Sequence, residues 1–117
     1  MDPVLDGFAE AWKRRLASEA AAKRSHAQEA RERLPKAVKL LREADAKKAV
    51  LFGSLARGEL GAESDVDLCV QGVGPEMLDG LRDALESLFG RRVDIVRWEM
   101  APEHWRRHIE DTGEVLA

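Results

Sequence analysis

Two carboxylates stand two residues apart in the run Ser64-Asp65-Val66-Asp67-Leu68-Cys69-Val70. Val66, Leu68 and Val70 alternate with Asp67, Cys69 and Gln71, the period of a strand with one buried face, so Asp65 and Asp67 both project to the polar side. Side by side, they repel unless a cation or a proton sits between them. Such a pair suits Mg²⁺, which takes a few carboxylate oxygens and fills its shell with phosphate oxygens from a substrate. Upstream, Ala49 to Phe52 is a short apolar run that stops at the turn signal Gly53-Ser54. The amides and hydroxyl of such a turn are suited to holding phosphate. Gly58 and Gly61 extend it into a loop, so residues 50–70 read as strand, glycine-rich turn and loop, strand. A third carboxylate, Asp94, falls within the apolar run Arg92 to Trp98, where burial without a partner is costly. It is therefore a candidate site residue, with an ion pair to Arg91 or Arg92 as the lesser alternative.

The spacing of Gly53-Ser54, ten residues, then Asp65-Val66-Asp67 resembles the signature of the DNA polymerase β-type nucleotidyltransferase superfamily. The fuller strings Phe52-Gly53-Ser54-Leu55-Ala56-Arg57-Gly58 and Ser64-Asp65-Val66-Asp67-Leu68 resemble its smallest members, the minimal nucleotidyltransferases. Those are often the antitoxin half of HEPN/MNT toxin–antitoxin pairs. The resemblance covers about residues 36–116. It implies an α+β fold, a small mixed β-sheet with helices packed on it. It further implies that Asp65 and Asp67 bridge two Mg²⁺ ions and that Asp94 completes the second metal's site. Gly53 and Ser54 would hold the triphosphate. Arg57 is a candidate phosphate clamp, since a planar guanidinium matches phosphate oxygens, and Ser64 is expected to orient Asp65. The implied reaction moves a nucleoside monophosphate, AMP from ATP, to a hydroxyl. By the same resemblance the acceptor is a tyrosine on a HEPN-type toxin, which makes this chain an antitoxin. Two other readings stand beside it. One is a non-catalytic module that neutralises its partner by contact. The other is a small-molecule transferase of the aminoglycoside type, whose members usually carry a further helical domain absent here.

The elements around these residues follow from periodicity and punctuation. Asp2 and Pro3 are suited to opening a helix, and helix formers continue to Arg33. Leu5, Phe8, Ala9, Trp12 and Leu16 make an apolar stripe that thins to alanines at Ala20, Ala27 and Ala30. Residues 1–33 are thus expected to be a helical extension to a domain spanning 34–117. The large residues of the stripe need cover, from the domain itself, a second copy or a partner. Pro35 either kinks this helix or starts another, carrying Leu34, Val38 and Leu41. After Gly72-Val73-Gly74-Pro75, leucines at 78, 81, 85 and 88 predict a helix ended by Gly90. The strand at residues 92–98 follows, with Val93 and Ile95 on one face and Asp94 and Val96 on the other, and strand–helix–strand spacing predicts that it runs parallel to the preceding strand. A last helix is expected from Pro102 to about Asp111, closed by Gly113.

At 117 residues the chain suits one small domain. No apolar run approaches a membrane span and no secretory signal is visible; a single cysteine, Cys69, leaves nothing for an internal disulfide, so a cytoplasmic protein is expected. Residues 1–48 carry twelve Lys and Arg against eight Asp and Glu, a net +4, whereas residues 49–117 carry seven against fourteen, a net −7. The basic residues are interleaved with acids and alanines, which favours a solvated helix face over direct nucleic-acid contact. His104 and His108 stand four apart on the last helix, too few ligands for a metal site, and are expected at the surface, as is His26. Cys69, Trp98 and Trp105 are expected to pack.

Overall fold

The computed structural model describes residues 3–117, and their side chains from Gly7 onward. The proposed cap at Asp2 and the Leu5 side chain lie outside the described residues. Helix α1 (Pro3–Glu32) is followed after one residue by α2 (Leu34–Glu43), with Pro35 in the first turn of α2. Pro35 therefore starts a second helix, because its missing N–H falls where no helical partner exists. Strand β1 (Lys48–Phe52) leads into a single helical turn, α3 (Gly53–Ala56). The sequence pattern suggested an open turn there, since one turn of helix is too short to show a period. Then come β2 (Val66–Gln71), α4 (Pro75–Phe89), β3 (Val93–Arg97), a 3₁₀ turn at Trp98–Met100, α5 (Glu103–Thr112) and a two-residue β4 (Glu114–Val115). Gly90 ends α4 in the left-handed conformation, φ 67°.

The sheet order is β3-β2-β1-β4. β1 lies antiparallel to β2 and β4, and β2 runs parallel to β3 across the α4 crossover. This is the expected small mixed sheet with helices packed on it. One face buries Leu51, Leu68 and Val70 against Leu41 of α2 and Leu85 of α4. The opposite face was expected to be polar. It is polar at Asp67, but Cys69 is buried there with Val50, Phe52 and Ile109, because α5 lies across that side. Burial, and next the charge of Glu99, push the Cys69 thiol up to about 11 against the pull of Arg106 and Lys48. At neutral pH it stays a thiol, a packing group with no nucleophilic character.

Gly113 lets α5 turn into β4 at close quarters. A Cβ there would overlap Val50 and the carbonyl of Ile109. β4 then pairs Glu114 with Leu51 and Val115 with Val50. Arg31 of α1 reaches across to Glu114 at 3.0 Å.

The alanine end of α1 is a core element. Ala27 and Ala30 are buried with the main cluster, and their small size lets the helix axis approach closely. His26 is half-buried rather than exposed: with its proton on Nδ1 it donates to the Leu60 carbonyl at 3.3 Å. The Leu60 amide returns a bond to the Lys23 carbonyl at 3.0 Å. Five helical turns separate Trp12 from Ala30, so both lie on one line along the helix. That line leaves the domain at its amino-terminal end, where Phe8, Trp12 and Leu16 are 68%, 51% and 48% exposed. The overhang contributes to principal extents of 63 × 30 × 19 Å.

Candidate active site

β2 and β3 set the geometry. Parallel pairing places Asp67 directly beside Asp94, with Val66–Val93 and Leu68–Ile95 as flanking pairs. Both aspartates, near the amino ends of β2 and β3, line a cavity of about 480 Å³ together with Phe52 at the carboxyl end of β1, Gly53 and residues from the 3₁₀ turn and α5. Burial raises the pKa of Asp67, the charges of Asp94 and then Asp65 raise it further, and Arg57 opposes them. Among the described residues no salt bridge engages any of the three carboxylates.

Asp94 is exposed, not buried as its apolar neighbours implied. On that face α5 buries its Ile109 over Val50, Phe52 and Cys69, and the start of β3 stays open. Neither arginine pairs with Asp94. Arg91 instead donates to the Gly61 and Ser64 carbonyls, at 2.9 and 2.8 Å. That clamp holds the loop leading into Asp65. Ser64 serves the loop too: its hydroxyl accepts from the Gly61 amide at 3.2 Å, so it closes the turn rather than orienting Asp65.

Asp65 is half-buried just before β2 and does not form part of the cavity wall, although its charge reaches Asp67. Gly53 does line the cavity, at φ 75°. A Cβ at Gly53 would overlap the Asp67 carboxylate, so the backbone turn and the carboxylate share one cramped cradle. Ser54 is the next residue of that turn, and its carbonyl accepts the amides of Arg57 and Glu59 at 3.1 and 3.0 Å. Arg57 caps α3 and is exposed. Gly53→Ala should lose on two counts. An L-residue in the left-handed region costs about 1–2 kcal/mol, and the methyl must displace the Asp67 carboxylate. Lower thermal stability together with weaker Mg²⁺-nucleotide binding by calorimetry is the expected pair of results.

The donor set suits a hard divalent cation. It consists of carboxylate oxygens, two in register and a third within electrostatic reach, whose mutual repulsion a cation relieves. No group of three or more His, Cys, Asp or Glu side chains among the described residues is drawn together closely enough to hold a metal ion. An open carboxylate set of this kind matches Mg²⁺, whose shell is commonly completed by phosphate and water.

Eight of the cavity residues were not site candidates in the sequence, Arg97, Met100, Trp105 and His108 among them. Trp98 packs as expected, covered by Arg106 with its guanidinium 5.1 Å from the ring centre. Trp105 packs edge-on against Phe52 yet remains 45% exposed. His108, expected to be merely solvated, meets the Trp105 ring edge-on at 6.0 Å. Trp105 and His108 are three apart, one face of a helix, which was the available signal. Nothing local said which face meets the site.

Residues 31–115 match the nucleotidyltransferase domain family. A solved structure described, provisionally, as a minimal nucleotidyltransferase is 32% identical, superposes with a TM-score of 0.69, and is covered over 93% of its length by 75% of this chain. A toxin–antitoxin structure with AMP-PNP is 26% identical, with a TM-score of 0.65 and 72% of each chain covered. A Methanocaldococcus jannaschii protein, provisionally described as a protein adenylyltransferase, is 36% identical over 66 residues, 54% of this chain and 71% of that one. With paired aspartates in register over a glycine turn, a mixed sheet of the same shape and a match across most of the domain, the chain belongs to the nucleotidyltransferase family and is an enzyme of the minimal nucleotidyltransferase type.

Proposed function

We propose that this chain transfers AMP from ATP to a hydroxyl on a partner protein, releasing pyrophosphate. The observation that carries the reading is the alignment of Asp67 with Asp94 in one cavity, with Gly53 seated against the Asp67 carboxylate. Asp65 and Asp67 would hold the Mg²⁺ that accompanies the triphosphate, and Asp94 would join Asp67 at a second ion. Bound Mg²⁺ neutralises phosphate charge and eases deprotonation of the attacking hydroxyl. The Gly53-Ser54 backbone and hydroxyl would fix the phosphates, with Arg57 as an outer clamp. The acceptor oxygen attacks the α-phosphorus in line, the bond from α-phosphorus to the bridging oxygen breaks, and the hydroxyl proton leaves toward the Asp94 side.

The toxin–antitoxin relative supports a toxin as partner, and the family resemblance implies that it is of the HEPN type with one of its tyrosines as acceptor. Intact-mass measurement of such a toxin after incubation with this chain, ATP and Mg²⁺ should show addition of AMP. An unmodified toxin would sink the assignment. No helix among the described residues is long and apolar enough to cross a membrane.

The overhanging face of α1 supports a contact role beside the chemistry. Full burial of large apolar side chains contributes about 1.5–3 kcal/mol each, and among the described residues Phe8, Trp12 and Leu16 remain about half exposed or more. Because Ala27 and Ala30 belong to the main core, the separable part ends near residue 20 rather than at 33. Deleting residues 1–20 should leave nucleotide binding intact and weaken toxin association about tenfold or more, as read by analytical ultracentrifugation. Equal association by the truncated chain would remove α1 from the interface. Neutralisation of the toxin by an Asp67→Asn chain would favour inhibition by contact.

A further inference from the structure

An open groove of about 240 Å³ lies between α2 and α4 and shares no lining residue with the active-site cavity. Leu40, Met77 and Leu81 give it an apolar lining, and Met77 is exposed. Gly80 lines it too, in the interior of α4. Glycine weakens a helix interior, so its presence there needs a reason. The backbone supplies none, since Gly80 is not in the left-handed region. Packing within the chain supplies none either: a Cβ at Gly80 would meet nothing within 4 Å. A glycine of this kind leaves room for an occupant from outside the chain. The charged residues that line the groove, Glu43 and Glu76, are both acidic, and neither is in an ion pair among the described residues. The basic residues of α2, Lys36, Lys39 and Arg42, do not line it. α4 as a whole carries four acids against one arginine.

The complementary surface is on the same chain. Residues 7–25 of α1 are exposed except at Ala20, and they carry five Lys and Arg against two Glu, a net +3. Phe8, Trp12 and Leu16 form their apolar line. We propose that the α2–α4 groove receives this line from a second copy of the chain, with Trp12, at the middle of the line, as the anchor. A chain does not fill its own groove: α1 is one continuous helix docked at Ala27 and Ala30, and its three large side chains stay open. Phe8 stands nineteen residues ahead of Ala27, about 28 Å along a helix that rises about 1.5 Å per residue. The two shorter extents of the molecule are 30 and 19 Å, so the overhang is long enough to lie across a neighbour. Cations on the arriving helix meet Glu43 and Glu76, which favours the correct register over other apolar contacts. The pairing draws on no active-site residue and is independent of the reaction. The stripe is the face proposed above for the toxin, so a second copy covers it when toxin is absent and the two compete for it.

The test is sedimentation of the full-length chain alone, without toxin, over a range of concentrations. The unaltered chain should self-associate. Trp12→Ala, at an exposed position, and Gly80→Leu, which fills the groove, should each weaken self-association about tenfold or more, as loss of an interface anchor does. Gly80→Leu should keep or raise the melting temperature, because leucine suits a helix interior better than glycine and has room there. A loss of pairing in that variant is therefore not a loss of fold. Mixing the two variants is the decisive arm. The Trp12→Ala chain keeps an intact groove and the Gly80→Leu chain an intact stripe, so the mixture should pair more tightly than either variant by itself. A monomeric unaltered chain would overturn the proposal and leave the stripe to the toxin. Native-like association by Gly80→Leu would overturn it as well, placing the stripe on another surface. So would a mixture no stronger than its components.

Discussion

Asp67→Asn is expected to leave the fold intact and abolish nucleotidyl transfer, with a fall on the order of 10³ or more, since metal-borne charge stabilisation is worth several kcal/mol. Asp65→Asn should do the same. Each change would remove the charge of one proposed metal ligand at nearly constant shape, so the loss would be electrostatic. A second consequence separates a metal carboxylate from a merely solvated one. Burial, then Asp94 and Asp65, raise the pKa of Asp67 above 3.8 in the folded chain. A raised acid contributes stability that is fully present below its unfolded value and is lost as pH rises through the folded value. At neutral pH the metal-free protein therefore carries the cost of an ionised Asp67. Asp67→Asn should raise the metal-free melting temperature at pH 7, and the gain should fade in acid as the native carboxyl protonates. Adding Mg²⁺ and nucleotide should reverse the order, stabilising the native chain more than the variant. Near-normal Mg²⁺-dependent transfer by either variant, measured with labelled ATP, would exclude the assigned role.

Asp94→Asn is expected to divide chemistry from binding. In the proposed arrangement the donor nucleotide would be held chiefly at Asp65, Asp67 and the Gly53-Ser54 turn, whereas activation of the acceptor would depend on Asp94. The rate at saturation should drop on the order of a hundredfold or more, while affinity for a non-hydrolysable ATP analogue stays within about threefold of native. Because Asp94 is exposed on an edge strand, the substitution carries no burial penalty and the comparison is free of folding effects. A large affinity loss with an unchanged saturated rate would contradict the role and place Asp94 at the donor phosphates.

Much of this architecture is local and therefore readable in the chain. Alternation at Val66, Leu68 and Val70, leucines spaced by three and four in α4, Gly90 as its stop and the parallel return of β3 all arise from backbone periods and turn chemistry acting over a few residues. The Gly53-Ser54 and Asp65-Val66-Asp67 spacing likewise needs no long-range information, because the hairpin joining β1 to β2 lies within one stretch of sequence. Tertiary structure decided the rest. β4 is two residues long, too short for any period, and exists because Gly113 lets the chain fold back onto β1. The burial of Cys69 and the presence of Trp105 and His108 at the cavity follow from α5 crossing the sheet, a packing choice its own sequence does not encode. Asp94 is open while Val93 beside it is buried because the helices cover one face of β3 and α5 packs its Ile109 over β1 and β2 on the other, a choice made by the whole fold. In α1, the alanines that looked too small for a core are the ones that dock, since close helix approach rewards small side chains, while the larger residues on the same line extend past the domain into solvent.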